Sequence, residues 1–106
     1  MFPTDKLHSA LNSLVACFKL DAVVVIDEHG QLIDANESCD EPEPIAATAA
    51  MVAEGTLPHH LQEESPTIAR RYSMDDFDIL IAAVGDKAFC EAAVDAAGIH
   101  LRRLAS

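Results

Sequence analysis

The strongest constraint on the fold comes from one run of apolar residues, Ala22–Ile26. The run is mostly β-branched and is followed by Glu28–Gly30, a combination typical of a tight turn. The chain then returns as Gln31–Asn36 with mixed polarity. We therefore predict a β-hairpin over residues 21–36 whose second strand lies at a sheet edge. Because Ala22–Ile26 has no polar alternation, it should be central in a sheet with helices on both faces.

Amphipathic segments on either side of the hairpin supply those helices. The first has Thr4 as its N-cap and one apolar face at spacings of three and four, formed by Leu7, Leu11, Leu14, Val15 and Phe18. The second has Pro44 in its first turn, continues through `IAATAAMVAEG` and ends at Gly55. Its side chains are apolar or small nearly all round. We expect it to be covered on more than one side, with another subunit as the second cover.

Two more strands follow a loop over residues 56–67. The segment Ile68–Met74 carries two consecutive arginines and is predicted to be an edge strand, whereas Phe77–Val84 is apolar on both faces and is predicted to be central. Asp75 and Asp76 form the turn between them. Alternation in the edge strand puts Ile68, Arg70, Tyr72 and Met74 on one face, and Ala69, Arg71 and Ser73 on the other.

The tail from Lys87 has two interpretations. Its apolar positions fit one helical face, which favours a single helix. Alternatively, Ala88–Val94 is a fifth strand and only Ala96–Leu104 is helical, because Gly98 weakens an uninterrupted helix by about 1 kcal/mol. The predicted fold class is α/β (α+β), with an antiparallel sheet of four or five strands flanked by helices on both faces. The element order is α-β-β-α-β-β-(β)-α, in a single domain over residues 1–106.

Composition limits the partners and the compartment. The 18 acidic and 7 basic residues give a net charge of −11, which disfavours nucleic acid and membrane surfaces and suits a basic protein partner. The alternative is that the acidic surface only confers solubility. Cys17, Cys39 and Cys90 form no CxxC pair, no apolar run approaches the ~20 residues of a membrane span, and no signal peptide is evident. We therefore expect a cytoplasmic protein.

Residues that could carry chemistry form no convincing site. His59 and His60 precede Glu63 and Glu64, but adjacent histidines point in different directions and no third ligand is fixed by spacing, so we expect a solvated loop. Cys17 and Cys90 lie on apolar helical faces, as packing cysteines do. We predict no catalytic residues, no metal and no cofactor, and hence no enzyme. The paired arginines either protect a strand edge or meet an acidic or phosphate group of a partner.

The element order, with `VVVIDEHGQLIDAN` as the first hairpin and `FDILIAAVGDKAF` near the end, resembles the roadblock/LC7 (MglB-like) family, which has a profilin-like architecture. Two departures are that Asp21 and Ala22 replace a glycine common in that family, and that the fifth strand is Ala-rich. The resemblance implies a homodimer that pairs through the second helix and the neighbouring strand. Its implied interface comprises Ile45, Thr48, Ala49, Val52, Ile68, Arg70 and Tyr72.

The resemblance also implies a function. Family members act as platforms or regulators for small Ras-like GTPases and for motor or trafficking complexes, through surfaces rather than reactive groups. We therefore expect a protein–protein interaction module or scaffold. The alternative is a PAS- or GAF-like domain that encloses a small molecule, which would need a roomy pocket with convergent polar groups.

Overall fold

The computed structural model describes residues 4–58, 66–74 and 77–105, apart from the side chains of residues 4, 5, 104 and 105. The predicted Asp75–Asp76 turn and the residues His59, His60, Glu63 and Glu64 lie outside this part. The described residues form three helices and four strands, in the order α1 (Thr4–Phe18), β1 (Ala22–Asp27), β2 (Leu32–Ala35), α2 (Pro42–Glu54), β3 (Ile68–Ser73), β4 (Asp78–Val84) and α3 (Lys87–Ala105). The predicted mixed α/β fold class is confirmed.

The described strands form one antiparallel sheet in the order β2-β1-β4-β3. The two doubly apolar strands are therefore neighbours in the centre, with Val24 opposite Ala82, and the more polar strands are the edges. Both placements agree with the sequence analysis. Burial explains the order. A strand that is apolar on both faces leaves the least apolar surface exposed to water when strands lie on both sides of it and helices cover both faces.

Two cores lie on opposite faces of the sheet. On one face, Val23, Val25 and Ile81 pack against leucines of α1 and against α3. On the other face, Val24 and Leu80 pack beneath the alanines of α2. The molecule thus has three layers, and the prediction of helices on both sides of the sheet is confirmed. No helix in the described part of the chain combines the length and apolarity that a bilayer crossing requires.

Side-chain oxygens close both ends of the first hairpin. In its turn, Asp27 Oδ1 accepts hydrogen bonds from the N–H groups of His29 and Gln31, both at 2.8 Å. At the far end, Asn36 is only 2% exposed. Its Oδ1 accepts a bond from the buried Val23 N–H at 2.9 Å, and its Nδ2 donates to Ser38 Oγ at 2.8 Å. The Asn36 side chain therefore supplies the acceptor for the buried Val23 N–H, in place of a main-chain carbonyl of the short edge strand.

The second helix begins at Pro42, two residues before Pro44. Both prolines fit because the first N–H groups of a helix need no acceptor within it. The helix ends at Gly55, whose φ of 72° is left-handed, and the glycine N–H lies 3.2 Å from Val52 O. The predicted end of this helix is confirmed.

The tail forms one helix from Lys87 to Ala105, so the alternative with a fifth strand at Ala88–Val94 is wrong. Gly98, the residue that argued for an interruption, is buried where the Tyr72 ring of β3 lies against the helix. A Cβ atom at this position would be 2.6 Å from Tyr72 Cε1. The glycine therefore lets the helix and the edge strand approach closely, and this contact offsets its low helix propensity.

Candidate interaction surface

Strand β3 has an edge with no main-chain partner among the described residues. The Met74 N–H donates to the Phe77 carbonyl at 2.7 Å, in the register of the β3–β4 ladder, so the main-chain groups of Met74 point toward β4. Since peptide groups alternate in direction along a strand, the residues facing β4 are Ile68, Arg70 and Tyr72. The N–H and C=O groups of Ala69, Arg71 and Ser73 point the other way. We call these six main-chain groups the open edge.

Helix α2 lies on the sheet face that the side chains of Ala69 and Arg71 share. Ala69 is part of the core beneath the helix, and Arg71 Nη2 is 3.7 Å from Glu54 Oε1 in the last turn of α2. Both of these charged side chains are at least half exposed. An ion pair this exposed contributes little to the stability of the monomer. It nevertheless keeps a carboxylate beside the cation at the open edge.

The side of α2 that faces away from the sheet carries an outer stripe, formed by Glu43, Ala47, Met51 and Glu54 at helical spacing. Glu43, Ala47 and Glu54 are exposed and Met51 is half-buried. The middle of the stripe offers a small and an apolar side chain, while each end carries a carboxylate. Such a surface allows close approach of another helix at its centre and favours cations at its ends.

On the opposite face, β3 is tied to α3 by polar contacts. Arg70 Nη1 donates to Asp95 Oδ1 at 2.6 Å, and the Tyr72 hydroxyl lies 3.3 Å from both Val94 O and Asp95 Oδ1. The guanidinium carbon of Arg102 is 5.8 Å from the centre of the Tyr72 ring. Burial and the Asp95 carboxylate raise the pKa of Tyr72. Partial burial lowers the pKa of Arg70, but attraction to Asp95 outweighs it and the pKa is raised overall.

The structure divides the seven predicted interface residues into two groups on opposite sides of the sheet. Thr48 and Ala49 are 5% and 0% exposed, and Ile45 and Val52 are half-buried against the same core under α2. The other three, Ile68, Arg70 and Tyr72, face α3. Their side chains do not meet those of α2, so the two groups share only the main chain of the edge. That these residues form a dimer interface stays a prediction.

Sequence reasoning did not include Arg71, Glu54, Ala47 and Met51 in the interface, although these side chains lie on the outer side of α2 or beside the open edge. One signal was available for Arg71. The predicted alternation in β3 already separated it from Ile68 and Tyr72. What the alternation could not supply was which of the two faces α2 would cover.

A groove of about 380 Å³ runs between α1 and α3 on the other side of the molecule. Leucines of α1 and alanines of α3 form most of its wall, and its polar groups are those of Ser13, Cys17 and His100. Among the described residues, no three His, Cys, Asp or Glu side chains are grouped so that they could hold a metal ion. Burial raises the pKa of the Cys39 and Cys90 thiols, which keeps both protonated at neutral pH. Cys90 is buried in the core as predicted, whereas Cys17 is exposed, so the prediction that Cys17 packs in the core is wrong.

No protein-family profile and no curated protein matches the sequence. A solved structure does. The chain is similar to Myxococcus xanthus MglB with a TM-score of 0.55 and 13% sequence identity, over 95% of this chain and 88% of that chain. At this identity the similarity concerns the fold. The resemblance that the sequence analysis identified is confirmed at that level, and the chain has a roadblock-like fold.

Proposed function

We propose that this chain is a homodimeric, non-enzymatic interaction module that binds or regulates a small Ras-like GTPase. The observation that carries the proposal is the open edge of β3 beside the outer stripe of α2, within a roadblock-like fold. In that family, as the sequence resemblance implies, the second helix and the neighbouring strand form the dimer surface. An unpaired strand edge is a ready template for another strand, and here α2 extends the same surface.

The outer stripe supports pairing with another helix. Its centre at Ala47 has almost no side-chain bulk, and Met51 adds apolar surface that is half-buried in the single chain. Two such helices can approach closely because small residues at the crossing reduce the distance between their axes. The sheet-facing residues of α2 support the helix from below and need not be exposed for the dimer to form.

The charge supports a protein partner. A chain of net charge −11 attracts basic surfaces and repels phosphate backbones, so electrostatics would speed association with a basic face of a GTPase. Burial holds the Cys39 and Cys90 thiols protonated, which lowers their reactivity as nucleophiles. A role as a cytoplasmic platform or scaffold fits these properties better than catalysis.

Dimerisation is tested by size-exclusion chromatography with light scattering on the wild type and on Ala47→Glu. We expect a dimer for the wild type and a monomer for the variant, because the new carboxylate enters the centre of the outer stripe. Ala92→Glu is the matched control, since Ala92 is an exposed alanine on α3. A wild-type monomer at micromolar concentration contradicts the proposal, as does equal dissociation of both variants.

The GTPase is tested by affinity capture from the source cells with added GTP or GDP, followed by mass spectrometry. We expect enrichment of a small GTPase that depends on the nucleotide and is lost with Ala47→Glu. The alternative, a PAS- or GAF-like sensor, has one observation in its favour, the groove between α1 and α3. Capture of no GTPase, together with a bound small molecule in native mass spectrometry, would favour the sensor.

A further inference from the structure

The open edge also determines how two copies would pair. This inference rests on the proposed homodimer, in which β3 runs antiparallel to β3 of the second copy across a two-fold axis. In such a pair, one residue lies at the axis and faces the same residue of the second copy. A residue before it in the strand then faces the residue that lies equally far after it in the second copy. The candidates for the axial residue are the three in the middle of the strand, Arg70, Arg71 and Tyr72.

Main-chain hydrogen bonding favours Arg71. Only residues whose N–H and C=O groups belong to the open edge can exchange bonds with the second copy. With Arg71 on the axis, Ala69 faces Ser73 of the second copy, Arg71 faces itself, and Ser73 faces Ala69, so every group of the open edge is paired. With Arg70 or Tyr72 on the axis, one residue of the open edge in each copy stays outside the paired region.

The side chains on the α3 face favour the same arrangement. With Arg71 on the axis, Arg70 lies opposite Tyr72 of the second copy, which places a guanidinium near an aromatic ring. With Arg70 on the axis, the two Arg70 side chains would face each other in a non-hydrogen-bonded pair, where Cα atoms are only about 4.5 Å apart. That arrangement also loses the cross-strand contact between Arg70 and Tyr72. Repulsion between arginines does not separate the two arrangements, because Asp95 accompanies Arg70 at 2.6 Å much as Glu54 accompanies Arg71 at 3.7 Å.

Placing Arg71 on the axis brings two arginines together under the paired α2 helices, and this repulsion must be offset. The ion pair already described offsets it, because each Arg71 is accompanied by Glu54 of its own α2 at 3.7 Å. We propose that the chain dimerises with Arg71 on the two-fold axis, and that the two Glu54 carboxylates neutralise the two facing guanidinium groups. The ion pairs of the two copies thereby form one cluster at the axis, in which two Arg71 guanidinium groups and two Glu54 carboxylates carry no net charge.

Disulfide cross-linking locates the axis. In a background in which Cys17, Cys39 and Cys90 are replaced, single cysteines are introduced as Arg70→Cys, Arg71→Cys and Tyr72→Cys, and the chains are oxidised at equal concentration. Since the axial residue is closest to its own copy, we expect the most cross-linked dimer for Arg71→Cys. A maximum at either neighbour refutes this axis. If light scattering shows a dimer that none of the three cross-links, pairing through β3 is wrong, whereas a monomer refutes the proposed dimer itself.

The charge arrangement is tested on uncrosslinked chains by measuring the dimer dissociation constant by dilution. We expect Glu54→Gln to raise it about tenfold, and the double variant Glu54→Gln/Arg71→Gln to recover most of that loss because the repulsion is gone. Glu43→Gln, at the other end of the outer stripe, is the matched control and should have a smaller effect. The inference is refuted if Glu43→Gln weakens the dimer as much as Glu54→Gln, or if the double variant recovers nothing.

Discussion

Replacing Gly98 by alanine tests the close contact between α3 and the edge strand. The added Cβ would be 2.6, 2.8 and 3.0 Å from three carbons of the Tyr72 ring. Carbon atoms in ordinary contact are about 3.5–4.0 Å apart, so the ring or the helix must move. The ring is not free to swing away, because its hydroxyl is 3.3 Å from both Val94 O and Asp95 Oδ1.

Two opposing terms determine the size of the effect. Forcing extra volume into a packed contact costs about 1–3 kcal/mol. Alanine in place of glycine inside a helix contributes about 1 kcal/mol in the favourable direction. We therefore expect Gly98→Ala to lower the free energy of unfolding by up to about 2 kcal/mol. In a Tyr72→Ala background, where the clash is absent, the same substitution should raise it by up to about 1 kcal/mol.

The assay is a double-mutant cycle measured by urea unfolding and far-ultraviolet circular dichroism, with all four proteins at one chain concentration because a dimer adds to the measured stability. The expected signature is a change of sign between the two backgrounds, with a coupling energy of about 1–3 kcal/mol. If Gly98→Ala has the same effect with and without the Tyr72 ring, the close contact does not account for the glycine, and the reasoning is refuted.

Three further predictions concern the same sheet. The absorbance titration of Tyr72, the one tyrosine of the chain, should have a higher midpoint in the native protein than in urea, because its pKa is raised. The stability that the folded protein gains by favouring the neutral Tyr72 hydroxyl is complete below the unfolded pKa of about 10 and is lost as pH rises through the native pKa. A native midpoint at or below the midpoint in urea would contradict the raised pKa. Asn36→Ala should cost about 1–3 kcal/mol in urea unfolding by leaving the Val23 N–H buried without an acceptor, and a loss no larger than that of Ser38→Ala would count against this role. Asp27→Ala should cost roughly 1 kcal/mol and Asp27→Asn less, since the amide keeps the oxygen that accepts from the turn; equal losses would exclude this contribution.

Local patterns in the sequence were sufficient for the order of the sheet. The doubly apolar segments Ala22–Ile26 and Phe77–Val84 can satisfy their burial only in the centre, so the more polar strands must be at the edges. Gly98 shows the opposite case. Its cost in a helix is a local property, but the ring that requires a glycine there belongs to a strand 26 residues earlier, and no pattern within α3 reports it.

The candidate site was predictable only in part, for a similar reason. Alternation separates the side chains of β3 into two sets, yet it cannot say that Arg71 faces α2 while Arg70 and Tyr72 face α3. That assignment depends on the handedness of the connections and on how the helices pack, which involve the whole chain. Apolarity likewise predicted that α2 is covered on more than one side, but it did not distinguish the residues that pack on the sheet, such as Ala49, from those of the outer stripe.

The separation of the two cores by the sheet has a consequence for how substitutions combine. Val24 and Val25 are joined by a peptide bond, yet one side chain packs under α2 and the other under α1 and α3, with no shared side-chain neighbours in the cores. Truncating both should therefore cost close to the sum of the single losses, as for residues far apart in a protein. Residues that are adjacent in sequence can therefore be independent in their effects on stability. Tyr72 and Gly98, in contrast, are far apart in sequence but are coupled by direct contact.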